Sequence, residues 1–279
     1  MPVRLIALDI DGTLLDERSH LPAINVEAVS AAAARGIEVA LVTGRRYDFA
    51  LPIARQFPCP LTMIVNNGAV VKSSAGDTHF VNLLPRTVAE RVIDAADGFR
   101  ELASVCFNRP REHQVIYERI DWRDPLRQGY FERNREYISE MSPLRNCLTE
   151  DPIQVMFTGY VEQVRQAEKF LSALPFVSEF SMAVTLYDKR DFGLLDVIAP
   201  GCSKGATLAE WVRRRGWQRE DVMAIGDNLN DLEMLQFAGL PVVMGNSVPE
   251  LKTLGWRETL SNDQGGVAAA IELYAFGDA

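Results

Sequence analysis

The segment Leu5–Leu14 reads LIALDIDGTL, and it decides the fold. Four apolar residues lead into Asp9 and Asp11, and Gly12 follows them. This pattern predicts a buried β-strand whose carboxyl end delivers both carboxylates to the edge where open α/β sheets hold their ligands. Carboxylates this close repel each other unless a cation compensates, and Mg²⁺ is the usual cation where phosphate is also present. The pair offers a nucleophile and an acid/base, although an ordinary strand end with an Asp-Gly turn has the same pattern.

The composition narrows the class of protein. The chain has 279 residues, of which 47% are hydrophobic and 24% charged, so it is large enough for one large domain or two smaller ones with a substantial core. The formal net charge of −9 argues against nucleic acid or an acidic membrane surface as the main partner. We expect a small phosphorylated metabolite as the partner and a monomer or homodimer as the assembly.

The four cysteines show no CxxC pairing, which favours reduced thiols over a zinc site or disulfide framework. No apolar stretch is long enough for a signal peptide or a membrane span. The sequence therefore predicts a cytoplasmic protein.

Strand-like and helix-like segments alternate in the first and last thirds of the chain. We expect an α/β core over residues 1–82 and 201–279, with a Rossmann-like, doubly wound parallel sheet. The middle mixes hairpins and helices, which predicts an α+β insert over residues 83–200. Arg46–Gln56 and Leu229–Phe237 read as core helices, and the polar stretch Asp121–Asn146 receives no element.

The second segment of interest is Val42-Thr43-Gly44-Arg45, which again follows an apolar strand. The Thr43 hydroxyl and the Gly44 N–H can hold a phosphate oxygen, with help from the field of a nearby helix N-terminus. Arg45 could reach the substrate as a bidentate clamp. Taken alone, this segment is better explained by a simple Thr/Gly helix cap beside a solvated arginine.

Two further segments open helices. Lys204, in Ser203-Lys204-Gly205, stands near a helix N-terminus, where a cation is unfavourable unless it pairs with an anion such as a phosphate or Asp9. Asp227 and Asp231, in Gly226–Asp231, are spaced to share one face of a helical turn, with Asn230 beside them. An exposed lysine and ordinary helix capping are the alternatives here.

DIDGTL, TGR, SKG and GDNLND, in this order, resemble the four motifs of the haloacid dehalogenase-like phosphohydrolases. The segments Asn66-Asn67-Gly68-Ala69, Met244-Gly245-Asn246-Ser247 and Thr259-Leu260-Ser261-Asn262 narrow the resemblance to the Cof-type subfamily. That subfamily has a large α+β cap between its second and third motifs, a position that the predicted insert shares. Ser247 stands where the subfamily often has alanine.

The resemblance implies a Mg²⁺-dependent phosphatase that acts on sugar phosphates or related phosphometabolites. It implies that Asp9 forms an aspartyl-phosphate and that Asp11 protonates the leaving group and then activates water. Thr43, Gly44 and Lys204 would bind the phosphoryl group. Mg²⁺ would be held by Asp9, the backbone carbonyl of Asp11 and Asp227, and Asp231 would belong to the same metal site, either directly or through a water. Asp231 and Asn230 would orient metal waters or Lys204, and Asn230 is also a candidate for binding the phosphate.

A phosphometabolite-binding regulator and a sugar phosphomutase remain open as alternatives, whereas Asp11 and Asp227 argue against a carbon–halogen hydrolase. A carbon–halogen hydrolase would need no Mg²⁺ and would lack Asp11, and a sugar phosphomutase would carry a smaller cap earlier in the chain. A phosphometabolite-binding regulator without catalytic activity would be expected to have lost a catalytic residue. The insert is expected to close over the site and to set specificity, and the candidates for contacts with the leaving group are Arg109, Arg111, Tyr187 and Lys189.

Overall fold

The computed structural model describes residues 3–277, apart from the side chain of Lys189. The chain forms two compact units. One reaches Val81 and resumes at Ser203, and the other is the continuous segment Asn82–Cys202. No helix within residues 3–277 is long and apolar enough to span a membrane.

The part of the first unit that reaches Val81 begins with alternating strands and helices and ends in a β-hairpin. Its elements are β1 (Leu5–Leu8), α1 (Ala23–Ala34), β2 (Glu38–Val42), α2 (Tyr47–Ala54), β3 (Thr62–Val65), β4 (Val70–Ser73) and β5 (Thr78–Val81). Strands β1, β2 and β3 are parallel, whereas β4 runs antiparallel to β3 and β5 runs antiparallel to β4. Strands β1 and β3 are buried along their whole length, as expected for the apolar centre of a parallel sheet.

The second unit is an α+β sandwich. Its elements are α3 (Arg86–Ala95), β6 (Ala103–Cys106), β7 (Val115–Tyr117), α4 (Gln128–Arg133), β8 (Ile138–Glu140), β9 (Gln154–Gly159), α5 (Val161–Ser172), β10 (Ser181–Tyr187) and β11 (Phe192–Ile198). The strands form one sheet in the order β10-β11-β9-β6-β7-β8. The apolar faces of α3 and α5 pack on it, and Val92, Phe157 and Val164 lie in the resulting core.

The first unit is completed by the last part of the chain. This part contributes α6 (Lys204–Arg214), β12 (Val222–Gly226), α7 (Leu232–Phe237), β13 (Leu240–Val243), α8 (Pro249–Lys252), β14 (Arg257–Glu258) and α9 (Gly266–Ala270). The sheet order is β14-β13-β12-β1-β2-β3-β4-β5. Leu208 of α6 and Met234 of α7 pack into the same apolar cluster as Leu5, and α9 packs against α1.

The sheet order explains how distant motifs meet. Strand β1 lies between β12 and β2, and all three run parallel in register, with Leu8 beside both Leu41 and Ile225. Their carboxyl ends therefore lie side by side. The residues that follow these strands, Asp9, Thr43 and Asp227, emerge at one edge of the sheet.

The α/β fold predicted from the sequence is confirmed, and differences are confined to short elements. Leu229–Phe237, predicted as one helix, is a short 3-10 turn over Leu229–Asp231 followed by α7. The polar stretch Asp121–Asn146 contains α4 and β8, which the sequence analysis missed. These two elements are short, and in α4 only Phe131 is buried, so no hydrophobic period marks it.

Candidate active site

The loop after β1 is shaped by Gly12. The backbone leaves helical geometry at Asp11 and at Gly12, whose φ is +84°. A Cβ atom at position 12 would also collide with the carboxylate of Asp227. Only glycine meets both conditions, because it tolerates positive φ and lets another group approach its backbone. We call residues 9–15, which follow β1, the Asp loop. Gly12 thus sets how closely the Asp loop approaches Asp227.

Lys204 ties the first and fourth motifs together. Its Nζ donates to Oδ1 of Asp9 at 2.7 Å and to Oδ1 of Asp231 at 2.7 Å. The three side chains are almost completely buried. Burial alone would lower the pKa of Lys204, but Asp231 and Asp9 outweigh it and raise that pKa. Lys204 is therefore a permanently charged bridge, and these carboxylates are the anions that explain a lysine at the N-terminus of α6.

Asp227 and Asp231 are held by the turn that follows β12. Oδ2 of Asp231 accepts hydrogen bonds from the N–H groups of Asp227 (3.0 Å) and Asn228 (3.2 Å). Oδ1 of Asp227 accepts from the hydroxyl of Thr13 at 3.1 Å. Asp231 caps the turn with one oxygen and contacts Lys204 with the other, so capping and active-site contacts coexist in one residue.

Asp9, Asp227 and Asp231 form a carboxylate cluster, with one oxygen from each residue lying within 4.8 Å of the others. Burial raises the pKa of Asp9 to about 7, with a further increase from Asp231 and opposition from Lys204. Burial also raises the pKa of Asp227 to about 8, assisted by the charges of Asp9 and Asp231. Crowded, partly desolvated carboxylates are hard oxygen donors that a divalent cation stabilises, so this donor set fits Mg²⁺.

Asp11 lies outside that cluster and is held by Arg45. The guanidinium grips both carboxylate oxygens, with Nε to Oδ2 at 2.7 Å and the terminal nitrogen to Oδ1 at 2.6 Å. Both side chains are about one-third exposed, at 33% for Asp11 and 28% for Arg45. Arg45 was predicted to bind the substrate with its guanidinium, but in this structure the guanidinium contacts Asp11 of the first motif. The metal contact predicted for Asp11 concerns its backbone carbonyl, and that contact stays a prediction.

Thr43 is buried directly after β2. Its Oγ1 accepts a hydrogen bond from the N–H of Arg45 at 3.1 Å, an arrangement that leaves the hydroxyl proton as the group to donate. Gly44 lies close to the side chain of Asn67, since a Cβ at position 44 would be 3.0 Å from Oδ1 of that residue. Asn230 is half-buried in the turn that carries Asp231.

Several residues that support the site were not predicted from the sequence. The hydroxyl of Thr13, a residue of the first motif, donates a hydrogen bond to Asp227. Asn25, Asn246 and Asn262 donate to backbone carbonyls of the Asp loop. Asn246 and Asn262 lie in the segments that suggested the Cof type, and that signal could have identified them as residues of the site.

The four candidates for specificity lie in the second unit. Arg109 pairs with Glu150 at 2.6 Å, and Arg111 lies 3.6 Å from Glu136. Tyr187 stacks on Phe192 with a ring separation of 6.3 Å. The side chain of Lys189 lies outside the part of the chain that the structure describes. Substrate contact by any of these residues stays a prediction.

Comparison with known proteins gives consistent results. The family model of the haloacid dehalogenase-like hydrolases matches residues 6–271. The chain is 27% identical to the 5-amino-6-(5-phospho-D-ribitylamino)uracil phosphatase YitU of Bacillus subtilis (strain 168), covering 97% of each protein. It is 28% identical to the pyridoxal phosphate phosphatase YbhA of Escherichia coli (strain K12), covering 90% of this chain and 91% of that protein.

A solved haloacid dehalogenase-like hydrolase from Bacteroides thetaiotaomicron superposes with a TM-score of 0.78 at 26% identity, covering 97% of this chain and 98% of the other. The family match spans all four motifs and the segment between them. The chain therefore belongs to the haloacid dehalogenase-like hydrolase family, and it is a phosphoric monoester hydrolase of the Cof type, as its motifs predict.

Proposed function

We propose that this enzyme hydrolyses small phosphomonoesters, such as sugar phosphates or related phosphometabolites, with Mg²⁺ and through an aspartyl-phosphate on Asp9. The observation that carries the proposal is the bridge of Lys204 between Asp9 and Asp231 inside a cluster of buried carboxylates. Relatives named as phosphatases of phosphorylated ribitylaminouracil and pyridoxal phosphate support a phosphometabolite as the substrate class.

When bound, Mg²⁺ would be held by Asp9, the backbone carbonyl of Asp11 and Asp227, and it would supply the positive charge that lets a carboxylate approach a phosphate dianion. Lys204 adds a second positive charge next to the attacking group. The Thr43 hydroxyl and the Gly44 N–H then hydrogen-bond the equatorial oxygens of the phosphoryl group.

In the first step a carboxylate oxygen of Asp9 bonds to phosphorus, and the bond between phosphorus and the ester oxygen breaks. Asp11 gives the leaving oxygen its proton. In the second step Asp11 takes a proton from water, whose oxygen bonds to phosphorus while the bond to Asp9 breaks. Phosphate leaves, and both aspartates return to their starting states.

The contact between Asp11 and Arg45 adds a condition to this scheme. Both carboxylate oxygens of Asp11 accept hydrogen bonds from the guanidinium, so neither can present a proton to a leaving group while the pair is closed. We infer that the phosphate of the substrate competes for Arg45. The bidentate clamp predicted from the TGR motif then forms only when substrate is bound.

The second unit is proposed to act as the cap, with its side chains meeting the leaving group. Replacement of Arg109 by alanine is expected to raise KM for a preferred sugar phosphate more than KM for a small aryl phosphate. Equal effects on both substrates would place specificity elsewhere.

A cytoplasmic location also stays a prediction.

The test is phosphate release from a panel of phosphometabolites and an aryl phosphate, with Mg²⁺ and with excess EDTA. We expect turnover only with the metal, and none in Asp9→Asn. The matched control Asp94→Asn changes an exposed aspartate of the second unit and is expected to remain active. Borohydride trapping of the acyl-phosphate should label Asp9 alone.

The same experiment separates the alternatives. Full activity in EDTA would contradict the metal dependence. An isomerised sugar phosphate would identify a mutase. Binding of phosphometabolites without any turnover would identify a regulator.

A further inference from the structure

Three asparagine side chains grip the loop that carries Asp9 and Asp11. The amide nitrogen of Asn246 donates to the carbonyl of Gly12 at 2.8 Å. Asn25 donates in the same way to Leu14 at 3.0 Å, and Asn262 to Leu15 at 2.9 Å. The loop is irregular at Asp11 and Gly12, so an unbroken series of backbone hydrogen bonds, as in a helix, cannot hold these carbonyls in place. We call Asn25, Asn246 and Asn262 the asparagine clamp.

The clamp residues come from three separate segments of the first unit. Asn25 lies in α1, Asn246 follows β13, and Asn262 opens the short turn before α9. Two of them are themselves fixed through their side-chain oxygens. Oδ1 of Asn246 accepts from the N–H of Asn262 at 2.9 Å, and Oδ1 of Asn25 accepts from Ala268 at 3.2 Å. Each of these two amides uses a donor and an acceptor in defined directions, which neither aspartate nor leucine can reproduce.

The position of the loop has direct chemical consequences. Gly12 lies so close to Asp227 that a single added methyl group would collide with its carboxylate. Thr13, the next residue, hydrogen-bonds the same carboxylate. A shift of the Gly12 carbonyl therefore moves Asp9 and Asp11 relative to Asp227. Displacements of about 1 Å in a catalytic array can cost roughly a hundredfold in rate.

We propose that the asparagine clamp positions Asp9 and Asp11 for phosphoryl transfer, so its members are positioning residues of this reaction. The inference rests on the proposed function, because it needs Asp9 to be the nucleophile. It also assigns a role to the Met244–Ser247 and Thr259–Asn262 segments, which the chemistry of the four motifs does not use.

Asn246 gives the cleanest test, because its side chain is exposed whereas Asn25 and Asn262 are buried. In Asn246→Ala we expect kcat for an aryl phosphate to fall about tenfold or more, while KM changes less than about threefold. The matched control is Gln56→Ala. This variant also removes an exposed amide that donates to a backbone carbonyl of the first unit, that of Pro52, and it should keep full activity.

Two measurements separate positioning from general weakening of the fold. Orthovanadate mimics the five-coordinate phosphorus of the transition state, so its inhibition constant should rise in step with the loss of kcat/KM. The inhibition constant of inorganic phosphate should stay within about threefold. In the metal-free protein, amide exchange of a peptide covering residues 9–15 should be faster in Asn246→Ala than in Gln56→Ala.

The inference is overturned if Asn246→Ala keeps kcat within about threefold of the unmodified enzyme, or if vanadate and phosphate weaken equally. Should Asn246→Ala fold poorly, Asn246→Asp tests the same contact, because at this exposed position it keeps the shape and the acceptor for the N–H of Asn262 but has no donor for the carbonyl of Gly12. Failure of the proposed function is distinguishable, since Asp9→Asn would then remain active. An inactive Asp9→Asn beside a fully active Asn246→Ala would reject the clamp alone.

Discussion

Removing the positive charge of Lys204 is the sharpest perturbation that the structure offers. Lys204→Met keeps a long, unbranched side chain and deletes the ammonium that contacts Asp9 and Asp231 at 2.7 Å each. Because both carboxylates are buried with it, water cannot replace the lost cation. The variant leaves the carboxylate cluster without its internal counter-ion.

The size of the effect follows from that burial. Deleting one partner of a buried ion pair costs about 3–5 kcal/mol of unfolding free energy, because a charge remains buried and uncompensated. For a protein of this size, about 2–4 °C of melting temperature is lost per kcal/mol, so we expect a decrease of roughly 6–20 °C at pH 8 without metal. Turnover should fall by about a hundredfold or more, since a charge next to the transferring phosphoryl group is lost.

The decrease should depend on pH in a defined direction. The pKa of Asp9 is already raised to about 7, and removal of Lys204 takes away the charge that opposes this shift. A carboxyl group with a raised pKa contributes stability at low pH that is lost as the pH rises through that value. At pH 5.5 a proton therefore takes over the role of the lysine, and the loss of melting temperature should be smaller than at pH 8.

The assay is thermal unfolding in EDTA at pH 5.5 and pH 8, together with phosphate release in Mg²⁺. Lys169→Met, an exposed lysine in α5, is the matched control and should behave like the unmodified protein. Equal melting temperatures for Lys204→Met and the unmodified protein at pH 8 would refute the buried bridge. Turnover within about tenfold of normal would refute the catalytic role of the charge.

Three further outcomes are expected. Mg²⁺ should raise the melting temperature more at pH 8 than at pH 5.5. The reason is that Asp9 and Asp227, with pKa values of about 7 and about 8, must lose their protons to bind the metal. Equal shifts of the melting temperature at the two pH values, measured by fluorimetry, would argue against these ligands. Gly12→Ala should lose almost all activity. The control is Gly36→Ala, because Gly36 also has a positive φ (+80°) but no atom lies within 4 Å of an added Cβ; this variant should suffer only backbone strain and keep its turnover. Arg45→Lys should lower kcat/KM about tenfold or more, because an ammonium keeps the charge but cannot form the bidentate fork; an unchanged pre-steady-state rate would show that the fork is not used.

Much of the site could be predicted because its functional residues directly follow apolar strands in the sequence. Asp9, Thr43 and Asp227 each come directly after such a strand, and parallel neighbours end at a common edge. The strand patterns alone therefore predict that these residues converge. The unusual placement of Lys204 at the start of a helix was also a usable signal, since it required an anion that the fold then supplies.

Other features could not be read from the sequence. Arg45 has a long, flexible side chain, and no local pattern tells whether it meets a substrate or a carboxylate 34 positions away. Asn25 lies in a helix outside every motif, and only the packing of α1 beside the Asp loop explains its buried amide. Contacts of this kind depend on tertiary packing, which hydrophobic periodicity does not encode.

The charges of the site show why a protein with a net charge of −9 can act on an anion. Four carboxylates and two cationic side chains lie in or around the Asp loop, and their formal charges sum to minus two. The carboxylates are Asp9, Asp11, Asp227 and Asp231, and the cations are Lys204 and Arg45. One divalent cation neutralises that charge, whereas in its absence protons on Asp9 and Asp227 do so in part, as their raised pKa values indicate. With the cation bound, a phosphate dianion meets a site that is neutral overall but positive at Lys204. We propose that its arrival draws Arg45 away from Asp11, which then takes up the proton that it gives to the leaving group.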